Sequence, residues 1–237
     1  MMFSCSKPLP LFFILIVAIL PAATPTGFPF ANEDLNYSVN WPTGLSLGEG
    51  HMRARQTGST AAPHWEFNLS IDASIPGFPI LDRYSSTATD DLCAIQFDRI
   101  FSHGPRKSDE RTVIDRRSGK ATRTTAKGGK SDIPVSDCVK DALTFLYYAR
   151  RELGQGKVPP SQTVMFGAAY QARLEYTGAQ TIPVNERPTQ TDRLVCNFKG
   201  PSSDLTFEIF FARDAARTPV VIRAPFSIGT FSMELLR

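Results

Sequence analysis

The chain has 237 residues, with 26 Lys and Arg against 23 Asp and Glu and an apolar fraction of 42%. That balance excludes a disordered chain, and a mean hydropathy of −0.16 with a single long apolar run excludes a polytopic membrane protein. One domain of about 200 residues with a core of its own is expected, and the 17 Phe residues suit a packed β interior.

The N-terminus reads as a leader. Lys7 supplies a basic start, Leu9 to Leu20 an apolar stretch, and Pro21-Ala22-Ala23-Thr24 the small residues that follow. About a dozen apolar residues fall short of the roughly 20 that cross a bilayer. The competing reading is an uncleaved anchor. Cys5 precedes the apolar run, so lipid attachment is not expected. Residues 1–26 are therefore taken as a secretory signal peptide. Cleavage is expected between Ala22 and Ala31, releasing a single β-rich domain, 33–237, into the periplasm or the medium, with no stable membrane span remaining.

From Leu35 onward a two-residue rhythm dominates. Leu35, Tyr37, Val39 and Trp41 alternate with polar residues, and Trp65-Glu66-Phe67-Asn68-Leu69-Ser70-Ile71-Asp72 repeats the pattern four times. Such a period marks antiparallel strands with one wet face. Similar runs recur at residues 45–55, 80–87, 93–101, 112–114, 163–166, 170–176, 193–198, 205–211, 219–223 and 230–236. Turn chemistry separates many of them, as at Ser74-Ile75-Pro76-Gly77 and Arg117-Ser118-Gly119-Lys120.

One segment has a different period. Val139, Ala142, Leu143, Leu146, Ala149 and Leu153 fall at helical spacing, predicting an amphipathic helix over 136–153 with Ser136 or Asp137 as cap and Gly154 at its end. A lone helix among about a dozen strands cannot cover both faces of a sheet. The expected fold is therefore mainly β, a curved antiparallel sheet or open half-barrel with the helix packed in its concave side.

Loss of the leader leaves Cys93, Cys138 and Cys196. Cys196 shares a strand face with Leu194 and Phe198 and reads as an inert core thiol, so Cys93 and Cys138 are the expected disulfide in an oxidising compartment. The alternative is a reactive thiolate at Cys138, at the start of the helix. Asp141 and Arg150 are too far apart for an intrahelical pair, so each needs a tertiary partner. Arg150 either staples the helix to a carboxylate of the sheet or offers its fork to an anionic ligand.

The uneven feature is charge. Nine basic and three acidic residues lie between Arg106 and Lys130. On a hairpin, Arg106, Lys107, Arg111, Arg116, Arg117 and Arg123 would create a local positive field for anionic lipid or envelope polymer, or a solvated face with no ligand. Aromatic residues are missing from this stretch, so nucleic acid is not expected. His51, His64 and His103 lack metal-ligand spacing, so no metal or cofactor is expected. Lys127-Gly128-Gly129-Lys130-Ser131 resembles the end of a phosphate loop but has Thr124 where the upstream glycine belongs. It reads as a flexible loop before the helix.

Asp141-Ala142-Leu143-Thr144-Phe145-Leu146-Tyr147-Tyr148-Ala149-Arg150 resembles the motif helix of the bacterial domain-of-unknown-function 3108 family. Leu35-Asn36-Tyr37-Ser38-Val39-Asn40-Trp41, with Leu47-Gly48-Glu49-Gly50 after it, is similar to the family's early strand. Phe210 to Val220 and Gly229 to Leu235 are similar to its closing hairpin and last strand. The resemblance runs from Glu33 to Arg237 and implies an exported envelope protein with a curved antiparallel sheet. It implies no activity, and neither the basic hairpin nor the Cys93/Cys138 pair belongs to its pattern. The functional expectation is a non-enzymatic protein that binds an amphiphile or anionic envelope component. The alternatives are a docking module using the basic hairpin and a hydrolase of envelope polymers.

Overall fold

The computed structural model describes residues 29–59, 62–75, 77–201, 203–226 and 229–236. The expected leader and most of its cleavage window lie outside these residues. Fifteen strands form one sheet: β1 (Glu33–Asn40), β2 (Ser46–Ser59), β3 (Ala62–Ile75), β4 (Phe78–Thr89), β5 (Ala94–His103), β6 (Arg106–Asp115), β7 (Lys120–Thr125), β8 (Lys130–Pro134), β9 (Lys140–Asp141), β10 (Gln162–Met165), β11 (Ala169–Val184), β12 (Arg187–Lys199), β13 (Asp204–Ala212), β14 (Pro219–Phe226) and β15 (Gly229–Leu236). One helix, α1 (Ala142–Gly154), lies between β9 and β10.

The order across the sheet is β8 through β1, then β15 back through β9, so the first and last strands meet in the middle. All neighbours are antiparallel except β9 and β10. This topology forces curvature. β8 and β9 are opposite edges of the sheet, yet only residues 135–139 join them. That connection reaches about 20 Å, whereas fifteen flat strands would span about 65–70 Å. The sheet therefore rolls into an open trough, with α1 inside it.

The alternating residues fill the trough as their period requires. Tyr37, Met52, Trp65, Phe67 and Phe97 from the first half meet Leu143 and Tyr147 of the helix in one cluster. Leu194, Cys196, Ile209 and Phe211 from the second half meet Phe145, Ala149 and Leu153. Tyr147 stacks on Phe67 at 4.1 Å between centroids, and Phe30 meets Tyr147 edge-on at 5.0 Å. Each such aromatic contributes about 1.5–3 kcal/mol by leaving water.

Two expectations are corrected. The helix begins at Ala142, not 136. Ahead of it, Val139 accepts a bond from the Ala94 N–H and residues 140–141 pair with β10 as a short strand. Asp141 is the cap in place of Ser136 or Asp137, and Cys138 does not open the helix. The Lys127–Ser131 stretch is not a loop before the helix. It includes the turn into β8, closed by the Thr125 N–H bonding to the Gly129 carbonyl.

Candidate functional site

Three buried ionic groups fix the helix. Asp141 closes a capping box: its Oδ1 accepts from the N–H groups of Leu143 and Thr144 at 2.9 and 3.0 Å, while Thr144 Oγ1 accepts from the Asp141 N–H at 2.7 Å. Ser86 of β4 donates to the other carboxylate oxygen at 2.5 Å. Burial outweighs these bonds and pushes the Asp141 carboxyl up to about 6. Arg150 sits at the other end of α1. Its Nη1 and Nη2 donate to Glu33 of β1 at 2.7 and 2.5 Å, and its Nε donates to the Ala216 carbonyl at 3.0 Å. Tyr147 donates to the same carboxylate at 3.2 Å. With its side chain sealed, Arg150 has no edge left for a ligand.

Lys140 is the third group. Its Nζ lies 4.5 Å from the centroid of the Tyr148 ring and 3.3 Å from the Leu92 carbonyl. No carboxylate reaches it among the described residues, and burial, assisted by the charge of Arg151, holds it down to about 8. Beside it, Cys93 and Cys138 lie at disulfide-bonding distance with Cα atoms 4.7 Å apart. Their link ties the β4–β5 turn to the approach to α1. Cys196 is buried alone, its thiol pushed up to about 12 by desolvation.

The basic stretch does not converge on one face. Arg106 and Lys107 start β6 and Arg116 and Arg117 follow its end, about 30 Å away along a ten-residue strand. Arg111 points outward, its Nε 2.7 Å from Asp98. Arg123 points into the trough, held by Glu110 at 2.8 Å. Arg116 donates to the Asp137 carbonyl. The pairings spend much of the charge that the sequence counts.

The trough itself is filled unevenly. Along the inner face of β3, Trp65 and Phe67 are buried beneath α1, whereas Leu69 and Ile71 on that same face are half-buried. The gradient recurs on β5, where Phe97 is buried and Phe101 is not, and on β13, where Phe211 and Ile209 are buried and Phe207 is not. The helix thus occupies one end. The other is bordered by half-buried apolar side chains, with Trp41 edge-on to Phe231 at 4.9 Å on its rim.

Into this open end β4–β7 project a polar row. Asp82 meets the His103 Nε2 at 3.0 Å, and Glu110 accepts from Arg123 and Ser108. Burial would raise the Glu110 carboxyl, but those partners overcome it and keep the group below its ordinary value. Between the two pairs stands Arg99, its guanidinium 4.7 Å from the centroids of both Phe101 and Phe166. Gly167, at φ +73°, lets the β10–β11 turn approach it: a Cβ there would lie 2.8 Å from Arg99 Nη1 and 3.0 Å from Glu110 Oε2. Arg99, absent from the residues singled out in the sequence, is the inward-facing cation of this row with no ion pair among the described residues.

A second depression of about 600 Å³ lies where the β11–β12 hairpin tip folds back on Leu35, Ala212, Val220 and Leu235. Its charges are satisfied: Arg213 is bound by Asp192 at 2.6 Å, and Asp214 accepts from the Thr218 N–H and hydroxyl. No group of three metal-ligating side chains occurs among the described residues. No helix among them is long and apolar enough to cross a membrane.

The fold and site together define a curved open-sheet protein with a helix-plugged trough. The chain belongs to the family described as Protein of unknown function (DUF3108), whose pattern it matches over residues 36–236. No curated protein matches the chain.

Proposed function

We propose that this chain is an exported, non-enzymatic binding protein of the bacterial envelope that holds an amphiphile in the open end of its trough. The observation that carries the reading is the half-buried apolar pair Leu69 and Ile71 on the inner face of β3, past the buried Trp65 and Phe67 and before the small, buried Ala73. Apolar side chains aligned on one concave face and left partly wet are the ordinary setting for an apolar ligand. Export is supported by the leader pattern of residues 1–24. Phe30 packs between Trp65 and Tyr147, so leader removal belongs upstream of it.

A hydrolase is less well supported. Glu110 is held ionised by Arg123 and Ser108, which unsuits it as a proton donor near neutral pH. Native mass spectrometry of the purified protein tests the reading. A retained amphiphile that delipidation removes, and that an Ile71→Arg variant does not retain, is expected. A protein that carries none, and after delipidation takes up no apolar fluorophore, would overturn it.

A further inference from the structure

We propose that Arg99 is the head-group anchor of this trough, and that its ligand carries a single negative charge on a planar or tetrahedral oxyanion; the assignment rests on the amphiphile reading above. The pairing at the open end supports it. Arg123 is held directly by Glu110, whereas no carboxylate lies within ion-pair distance of Arg99 among the described residues and Glu110 acts on it only at longer range. Tyr84 stands between Arg99 and Asp82 and offers a neutral hydroxyl. The Arg99 Nε is buried without a hydrogen-bond acceptor. An arginine donor left unmet in a desolvated place is costly, and a ligand oxygen removes that cost.

The rings of Phe101 and Phe166 grip the guanidinium over their faces, so its position is set before any ligand arrives. A fixed fork suits a carboxylate or a phosphodiester, both of which carry one charge, better than a phosphate monoester with nearly two. The same neighbourhood supplies the tail site. Across the sheet Arg99 pairs with Tyr84, Tyr84 with Leu69, and Asp82 with Ile71, so the cation and the half-buried apolar strip share adjoining strands. A carboxylate or phosphodiester at Arg99 therefore has apolar wall beside it for an acyl chain.

The test is a calorimetric titration of the delipidated protein with three ligands sharing a lauroyl-length chain: lauric acid, lauroyl-lysophosphatidylglycerol and uncharged lauryl alcohol. Both anions are expected to bind more tightly than the alcohol, by about tenfold or more. The tighter of the two identifies the source as a free acid or a lipid head group. Arg99→Gln should erase the preference while leaving alcohol binding in place, and Arg99→Lys should restore part of it. Equal binding of all three ligands to the unmodified protein would overturn the anchor while leaving the amphiphile reading intact. No binding of any would overturn both. The unmodified protein's preference decides the matter even if a variant misfolds.

Discussion

Arg150 of α1 and Glu33 of β1 form a two-armed ion pair, 2.7 and 2.5 Å on its two sides, that locks the helix to the central strand of the sheet. β1 is also where the first and last halves of the meander meet. The pair therefore fixes the plug to the one strand that borders both halves. Glu33→Gln should cost about 3–5 kcal/mol, because it leaves a buried guanidinium without its counter-charge. The combined Glu33→Leu, Arg150→Met change should recover much of that loss. Urea denaturation of the three proteins checks this, and a double variant that loses more than Glu33→Gln alone would contradict it.

Asp141 makes stability depend on pH. Its folded carboxyl is raised to about 6 against an ordinary value near 3.8. Folding thus favours the protonated form, and the associated stabilisation is complete below the unfolded value and lost as pH rises through about 6. Asparagine caps a helix about as well as aspartate, so Asp141→Asn should remain folded. Between pH 4 and pH 7 the variant should gain on the native protein by up to about 3 kcal/mol. Thermal melts across that range measure it; parallel curves would mean Asp141 does not titrate there.

Lys140 shifts in the other direction. Burial lowers it from 10.5 to about 8, so its stabilising contribution is present above the unfolded value and lost as pH falls through 8. Relative to Lys140→Met, the native protein should improve by about 3 kcal/mol between pH 7 and pH 10.5. A pH-independent difference between the two would show that the ammonium is solvated.

The Cys93–Cys138 link closes a separation of 45 residues, worth about 4 kcal/mol by loop-closure entropy. Cys93→Ala should lower the melting temperature under oxidising conditions and change it little in reductant. An equal loss in both would mean the sulfurs are merely packed.

Much of the fold was legible because the chain is an antiparallel meander whose inner face is apolar: Trp65 to Asp72 declares its strand without help. The period was silent where both faces are wet. Lys130 to Pro134 forms an edge strand that is mostly exposed, and residues 177–190 extend the β11–β12 hairpin with scarcely any buried apolar side chains. The helix start was displaced because Val139 fits the helical spacing, yet its carbonyl is taken by Ala94 and the real cap lies two residues on.

The candidate site was harder to see. Counting charge from Arg106 to Lys130 could not reveal that strand alternation sends Arg111 outward and Arg123 inward, each to its own carboxylate. Arg99 and Phe166 are far apart in sequence, and no spacing rule joins them. One signal was present: Phe97, Arg99 and Phe101 share a strand face, and a cation on an otherwise aromatic face asks for a partner.

The central claim is that the trough beyond α1 takes an amphiphile. Ile71→Trp in a Trp41→Phe background places a reporter on its inner wall, with Trp65, sealed beneath the helix, as the one other tryptophan. Saturable quenching of the new residue by a brominated lauric acid is the expected result. A folded variant whose added fluorescence the brominated acid leaves unchanged would contradict the account.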